Sequence, residues 1–113
     1  MSDRAFRRLR HEWAWLTLRV SIAVQVRTLR RHRGWTRHEL AIRAGLHYGT
    51  VLRIECGGVK MLDSLIAIAH ACDVALLTRF CSWPEFASHI AEMWTGQNIP
   101  SFSDEDAVKT DAA

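Results

Sequence analysis

The chain predicts a mainly α fold: a bundle of about five helices with an extended N-terminal helix, and one short β-strand near 74–80 as the exception. Three observations predict it. The first 33 residues hold no proline or glycine and carry apolar residues at steps of three and four. Two short apolar-faced stretches lie between Gly34, Gly45 and the Gly57-Gly58 pair. Thr36-Arg37-His38-Glu39 and Ser82-Trp83-Pro84-Glu85 each have the form that caps a helix start.

In the first segment, one stripe runs Phe6, Leu9, Trp13, Leu16, Val20 and a second runs Trp15, Leu18, Ile22, Val26, Leu29. A single helix over 2–33 satisfies both stripes, as does an arm near 2–12 followed by a helix near 14–33. A continuous helix is about 45 Å long at 1.5 Å per residue. Arg27, Arg30, Arg31 and Arg33 crowd its last turns, where cations suit the helix dipole, and Gly34 ends it.

The capping box at Thr36–Glu39 opens a second helix, with Leu40, Ala41 and Ala44 on its apolar face. Gly45 stops it, as a glycine of positive φ does. Leu46 and His47 lead to a short third helix, 48–56, with Val51 and Ile54 on one face, ended by Gly57-Gly58. Two short helices on a three-to-four-residue glycine turn form a helix-turn-helix. A fourth helix near 62–72 follows from Leu62, Leu65, Ile66, Ala69 and Cys72. Residues 74–80 alternate Val74, Leu76, Thr78, Phe80 against Ala75, Leu77, Arg79, which fits a strand, although a continued helix also accommodates them. A last helix carries Trp83, Phe86, Ala87, Ile90 and Trp94. The expected organisation is a helical extension over 1–20, a helix-turn-helix domain over 21–80, a C-terminal helix over 81–96 and an acidic tail over 97–113.

With 113 residues, 49% hydrophobic and 24% charged, the chain is one globular domain with an arm or tail, not a disordered or multidomain protein. Arginine interrupts every apolar run, so no membrane span is expected. The N-terminus lacks the apolar stretch of a secretory signal, and a cytoplasmic location is expected. Cys56, Cys72 and Cys81 are odd in number and scattered, as thiols are in a reducing compartment. A zinc site needs His70, Cys72 and Cys81 to converge with a fourth ligand, and none is expected. No cofactor is expected either.

The net charge of +3 conceals an asymmetry. Residues 1–60 hold 13 Lys/Arg against 4 Asp/Glu, and residues 61–113 hold 2 against 8. Arginine's planar fork suits phosphates and guanine edges, so the basic half reads as a nucleic-acid footprint or as a solvated helix face.

The stretch from Arg33-Gly34-Trp35-Thr36 through Glu39-Leu40-Ala41, Ala44-Gly45-Leu46 and Thr50-Val51 to Arg53-Ile54-Glu55 and Gly57 resembles the Cro/C1-type (xenobiotic-response-element) helix-turn-helix family. With Leu65, Ile68-Ala69 and Asp73-Val74, the resemblance covers about residues 21–77. It implies a lambda-repressor-like fold in which helix 48–56 enters the major groove of double-stranded DNA. Arg53 is then the candidate for bidentate guanine readout. Arg37 is the candidate phosphate clamp beside a helix start. His47, Tyr48, Gly49 and Thr50 lie at the DNA-facing end of that helix. Tyr48 and Gly49 depart from the Gln, Arg or Ser that family members often place there. Arg31, Arg33, Arg43 and Lys60 are backbone candidates. Glu39 and Glu55 match positions that make structural polar pairs. Read instead as an acid–base pair, they have no nucleophile, metal cluster or phosphate loop beside them, so the chain is not expected to be an enzyme.

Two apolar sets fall outside this core. Phe6, Leu9 and Trp13 stand at one end; Leu76, Phe80, Trp83, Phe86, Ile90 and Trp94 stand at the other. Either they pack within the chain or they form a homodimer or partner interface, and a dimer suits two half-sites related by two-fold symmetry. The expectation is a dimeric transcriptional (auto)repressor. The alternative is an antitoxin or antiactivator that mainly binds a protein such as a toxin or an activator and binds DNA for autoregulation.

Overall fold

The computed structural model describes residues 2–59 and 61–94, with Trp94 described by its backbone alone. Among them are five helices: α1 (Asp3–His32), α2 (Arg37–Ala44), α3 (Tyr48–Glu55), α4 (Leu62–Cys72) and α5 (Trp83–Trp94). The chain divides into two compact units, Met1–Val74 and Ala75–Ala113.

α1 is one unbroken helix of 30 residues, which resolves the open question about residues 2–33. Ser2 caps it by accepting from the Ala5 amide at 3.1 Å. Only its C-terminal part carries buried residues: Ala23, Val26 and Arg30. There α1 packs against α3 and α4, while α2 packs against both of those helices. The core gathers Val26, Trp35, Leu40, Val51, Ile54 and Ile68 with their neighbours, and Leu40 and Val51 are wholly buried. Each is apolar because the dry contact removes its surface from water.

The helix ends follow one device. The amides of Gly45 and Leu46 return to the carbonyls of Ile42 and Ala41, at 3.2 and 2.9 Å, with Gly45 left-handed at φ 69°. α1, α3 and α4 close in the same paired way. At α4 the left-handed residue is Asp73, the one non-glycine with positive φ among the described residues.

The strand expected over 74–80 does not form, and no strand occurs among the described residues. A strand exists only with a neighbour to complete its hydrogen-bond ladder, and among the described residues no second strand forms. The Val74 amide is already committed to the Ala69 carbonyl at 3.0 Å, as part of the α4 cap. In the second unit Ser82 stands just before α5, and its hydroxyl accepts from the Glu85 amide at 3.3 Å. Trp83 and Phe86 meet edge to face at 5.8 Å, and Arg79 pairs with Glu85 at 3.3 Å. The acidic tail over 97–113 lies outside the described residues.

No helix among the described residues is long and apolar enough to cross a membrane.

Candidate nucleic-acid interface

α2 and α3 are eight residues each, joined by Gly45, Leu46 and His47. The α2 start is held by Thr36, whose hydroxyl oxygen accepts from the Glu39 amide at 3.1 Å and donates to the Glu39 carboxylate at 3.3 Å. α3 turns Val51, Ile54 and Glu55 inward. Tyr48, Gly49 and Arg53 remain exposed on its outer side, with Thr50 half-buried. His47 takes the N-cap position of α3, but its side chain makes no capping bond. The first amides of α3 are therefore left without a side-chain cap, at the positive end of the helix dipole.

Arg53 lies back along the helix, its Nε donating to the Gly49 carbonyl at 3.3 Å. That contact carries the guanidinium towards the N-terminal end of α3. A Cβ built on Gly49 meets nothing within 4 Å, so the bare backbone there faces open space. Tyr48 is braced from α2: its ring stacks on His38 with centroids 4.0 Å apart and planes 12° apart. A groove of about 210 Å³ runs beside this surface, lined by Thr50, Arg53, Ile54, Gly58, Met61 and Ser64.

Behind the outer face sits a charge cluster centred on Glu55, whose side chain is fully buried. Arg30 grips it with two bonds, Nε to Oε2 at 2.8 Å and Nη2 to Oε1 at 3.0 Å, and Nη1 donates to the Trp35 carbonyl at 3.0 Å. Arg27 donates to the Glu55 backbone carbonyl at 2.9 Å, and Arg37 reaches Oε1 at 3.3 Å. The carboxylate beside Arg37 raises that guanidinium's pKa above its ordinary value, with a smaller contribution from Tyr48 and some opposition from burial. Arg37 is thus partly spent on the fold, although its side chain keeps 35% of its exposure.

The remaining predicted residues scatter. Arg33 donates to the Cys72 carbonyl at the end of α4. Arg43 lies 4.4 Å over the ring of Trp35 as a cation–π contact. Arg31 is exposed, and Lys60 lies outside the described residues. Glu39 stands exposed in the first turn of α2, bonded to Thr36, while Glu55 is buried among arginines. His70 and Cys81 are exposed and Cys72 is buried; among the described residues no three His, Cys, Asp or Glu gather as a metal site. Of the apolar sets, Phe6, Leu9, Trp13, Leu76 and Phe80 are exposed. Trp83, Phe86 and Ile90 are half-buried, and the Trp94 side chain lies outside the described residues.

Arg30 and Arg27 were not anticipated as partners of Glu55. A signal was present: Arg30 continues the buried series Ala23, Val26 at helical steps, and Glu55 continues Val51 by four residues. A charge that prolongs an apolar stripe asks for an opposite charge facing it. In comparisons with known proteins, no family model, no curated protein and no solved structure matches this chain.

Proposed function

We propose that the chain is a sequence-specific double-stranded-DNA-binding transcription regulator, a dimeric autorepressor that inserts α3 into the major groove. The observation that carries this reading is the outer side of α3. It presents the Arg53 guanidinium, the uncovered Gly49 backbone, the braced Tyr48 ring and uncapped helix amides together. They project from the half of the chain that holds 13 of its 15 basic residues. Arg53 reads a guanine edge, for roughly 1–3 kcal/mol of discrimination. The α3 amides, Thr50 and the exposed part of Arg37 hold phosphates. The sequence's resemblance to Cro/C1-type regulators supports the same reading.

The test is fluorescence anisotropy on DNA from upstream of the chain's own gene, beside an unrelated duplex, at low and moderate salt. Preference for the upstream duplex, lost in Arg53→Ala, is the expected result. Absence of binding at either salt overturns the reading.

One observation favours a protein partner as the second reading. Leu77 and Phe80 are 88% and 106% exposed in the second unit. Apolar groups held in the open this way suit an antitoxin or antiactivator that closes on another protein. Capture of such a partner in the absence of DNA binding would favour it.

A further inference from the structure

The N-terminal two-thirds of α1 carries no buried residue: the first is Ala23. Along this stretch Phe6, Leu9, Trp13, Leu16 and Val20 are 43–55% exposed. Their steps of three and four are those of a heptad seam, with Phe6, Trp13 and Val20 in one register and Leu9 and Leu16 in the other. From these residues we propose that α1 pairs antiparallel with α1 of a second copy of this chain through this seam. The pairing deepens the DNA-binding reading, and its DNA-related part rests on that reading.

Three features select a second copy in this orientation. The first is the layers. With the two-fold axis midway between Ala14 and Trp15, Leu9 meets Val20 of the second copy and Trp13 meets its Leu16, large against smaller in both layers. A parallel pair stacks Trp13 on Trp13 and Phe6 on Phe6. The second is charge. Glu12 and Arg19 flank the seam in equivalent heptad positions, and the antiparallel register sets Glu12 of each chain beside Arg19 of the other, twice by symmetry. The parallel register sets Glu12 beside Thr17 and Arg19 beside Val24, and neither pair is complementary.

The third is the placement of the recognition surface. At about 100° per residue, the core-facing residues Ala23, Val26 and Arg30 lie about 90° round the helix from the seam. In an antiparallel pair the two-fold axis stands perpendicular to both helices, so both cores rise from the same face of the pair. α1 packs on the inner side of α3, so both outer α3 faces look away from the helix pair in one direction. A parallel pair turns them to opposite faces, where a single duplex cannot meet both. The core attachments centre near Val26, and at 1.5 Å per residue the antiparallel register separates them by about 35 Å. That is about one turn of B-DNA, the spacing of half-sites read by a two-fold dimer.

The test combines size and distance. Sedimentation equilibrium of the full chain is expected to give a dimer, and Leu16→Glu a monomer of unchanged helical circular dichroism. Glu12→Arg is expected to weaken association, and Glu12→Arg/Arg19→Glu to restore it. A nitroxide on Arg4→Cys, with Cys56 and Cys81 changed to Ser, is expected to show a spin–spin distance of about 30 Å by pulsed electron resonance. About 10 Å, the spacing of paired helices in parallel register, overturns the orientation. A wild-type monomer, or a dimer indifferent to Leu16→Glu, overturns the pairing itself. A dimer with the expected distance that binds no DNA keeps the pairing and overturns the regulator reading instead.

Discussion

Arg30 and Glu55, 25 residues apart in the chain, meet as a two-pronged ion pair in the interior, with the Glu55 side chain fully buried and that of Arg30 retaining 11% exposure. The pair ties the end of α3 to α1, and through the Trp35 carbonyl it also holds the loop that leads into α2. α3 therefore stands on a charged anchor as well as an apolar one. Both oxygens of Glu55 are occupied by arginine donors, which is what makes burial of the charge tolerable.

Glu55→Gln is expected to destabilise the first unit by about 3–5 kcal/mol, because it leaves the buried Arg30 cation without its counter-charge. Urea unfolding followed by circular dichroism measures this. Arg37→Ala, at the exposed edge of the same cluster, is expected to change stability far less and to weaken DNA binding across all sequences alike.

Gly49→Ala is expected to raise stability by up to about 1 kcal/mol, since alanine is the better helix former and nothing obstructs its Cβ. DNA affinity is expected to fall, because the added methyl stands between the α3 backbone and the groove. A thermal melt and a binding titration on the same variant separate the two effects. Unchanged affinity would remove Gly49 from the interface.

Asp73 holds the left-handed position that closes α4, at φ 53°. Asp73→Gly is expected to stabilise the chain by about 1 kcal/mol by relieving the Cβ contact that this conformation imposes on L residues. Asp73→Val is expected to destabilise it, since a β-branched side chain fits the left-handed region worst. Melting temperatures of the two variants should move in opposite directions.

Cys72 is buried, and desolvation raises its thiol pKa above the ordinary 9.0, partly offset by the nearby Arg33 charge. A thiol reagent is expected to modify Cys56 and Cys81 at once and Cys72 only on unfolding. The raised value means the folded state holds this proton more tightly than the unfolded state does. Its contribution to stability is present below pH 9.0 and is lost as the pH climbs through the folded value. Cys72→Ala should flatten that alkaline decline.

Binding to the upstream duplex is expected to fall steeply between about 50 and 200 mM salt, as several arginine–phosphate contacts release counterions. Arg53→Ala should cost preference while leaving most of the salt slope in place. A shallow slope in the wild type would deny the basic half a role in phosphate contact.

The elements most legible in sequence were those set by local chemistry. Thr36 with Glu39 and Ser82 with Glu85 announce helix starts because a hydroxyl oxygen takes up orphan amides within three residues. Gly34, Gly45 and Gly57 announce helix ends because each needs a positive φ at that point. Residues 74–80 misled for the complementary reason: alternation describes a strand's faces but cannot supply the neighbour that completes its ladder. Tyr48 was placed at the interface, yet its brace on His38 depends on how α2 crosses α3.

The sequence by itself thus determined where helices begin and end and which face of α2, α3 and α4 turns inward, since caps and periodicity act over three to seven residues. Only the tertiary structure decided which arginine holds Glu55, that Arg33 serves the end of α4, and that α1 runs unbroken past the core with the apolar residues of its N-terminal part exposed. These depend on contacts between residues 25 or more apart, as for Arg30 with Glu55 and Arg33 with Cys72. Thirteen arginines offer many partners for one buried carboxylate, and the packing of α1 and α2 on α3 selects among them.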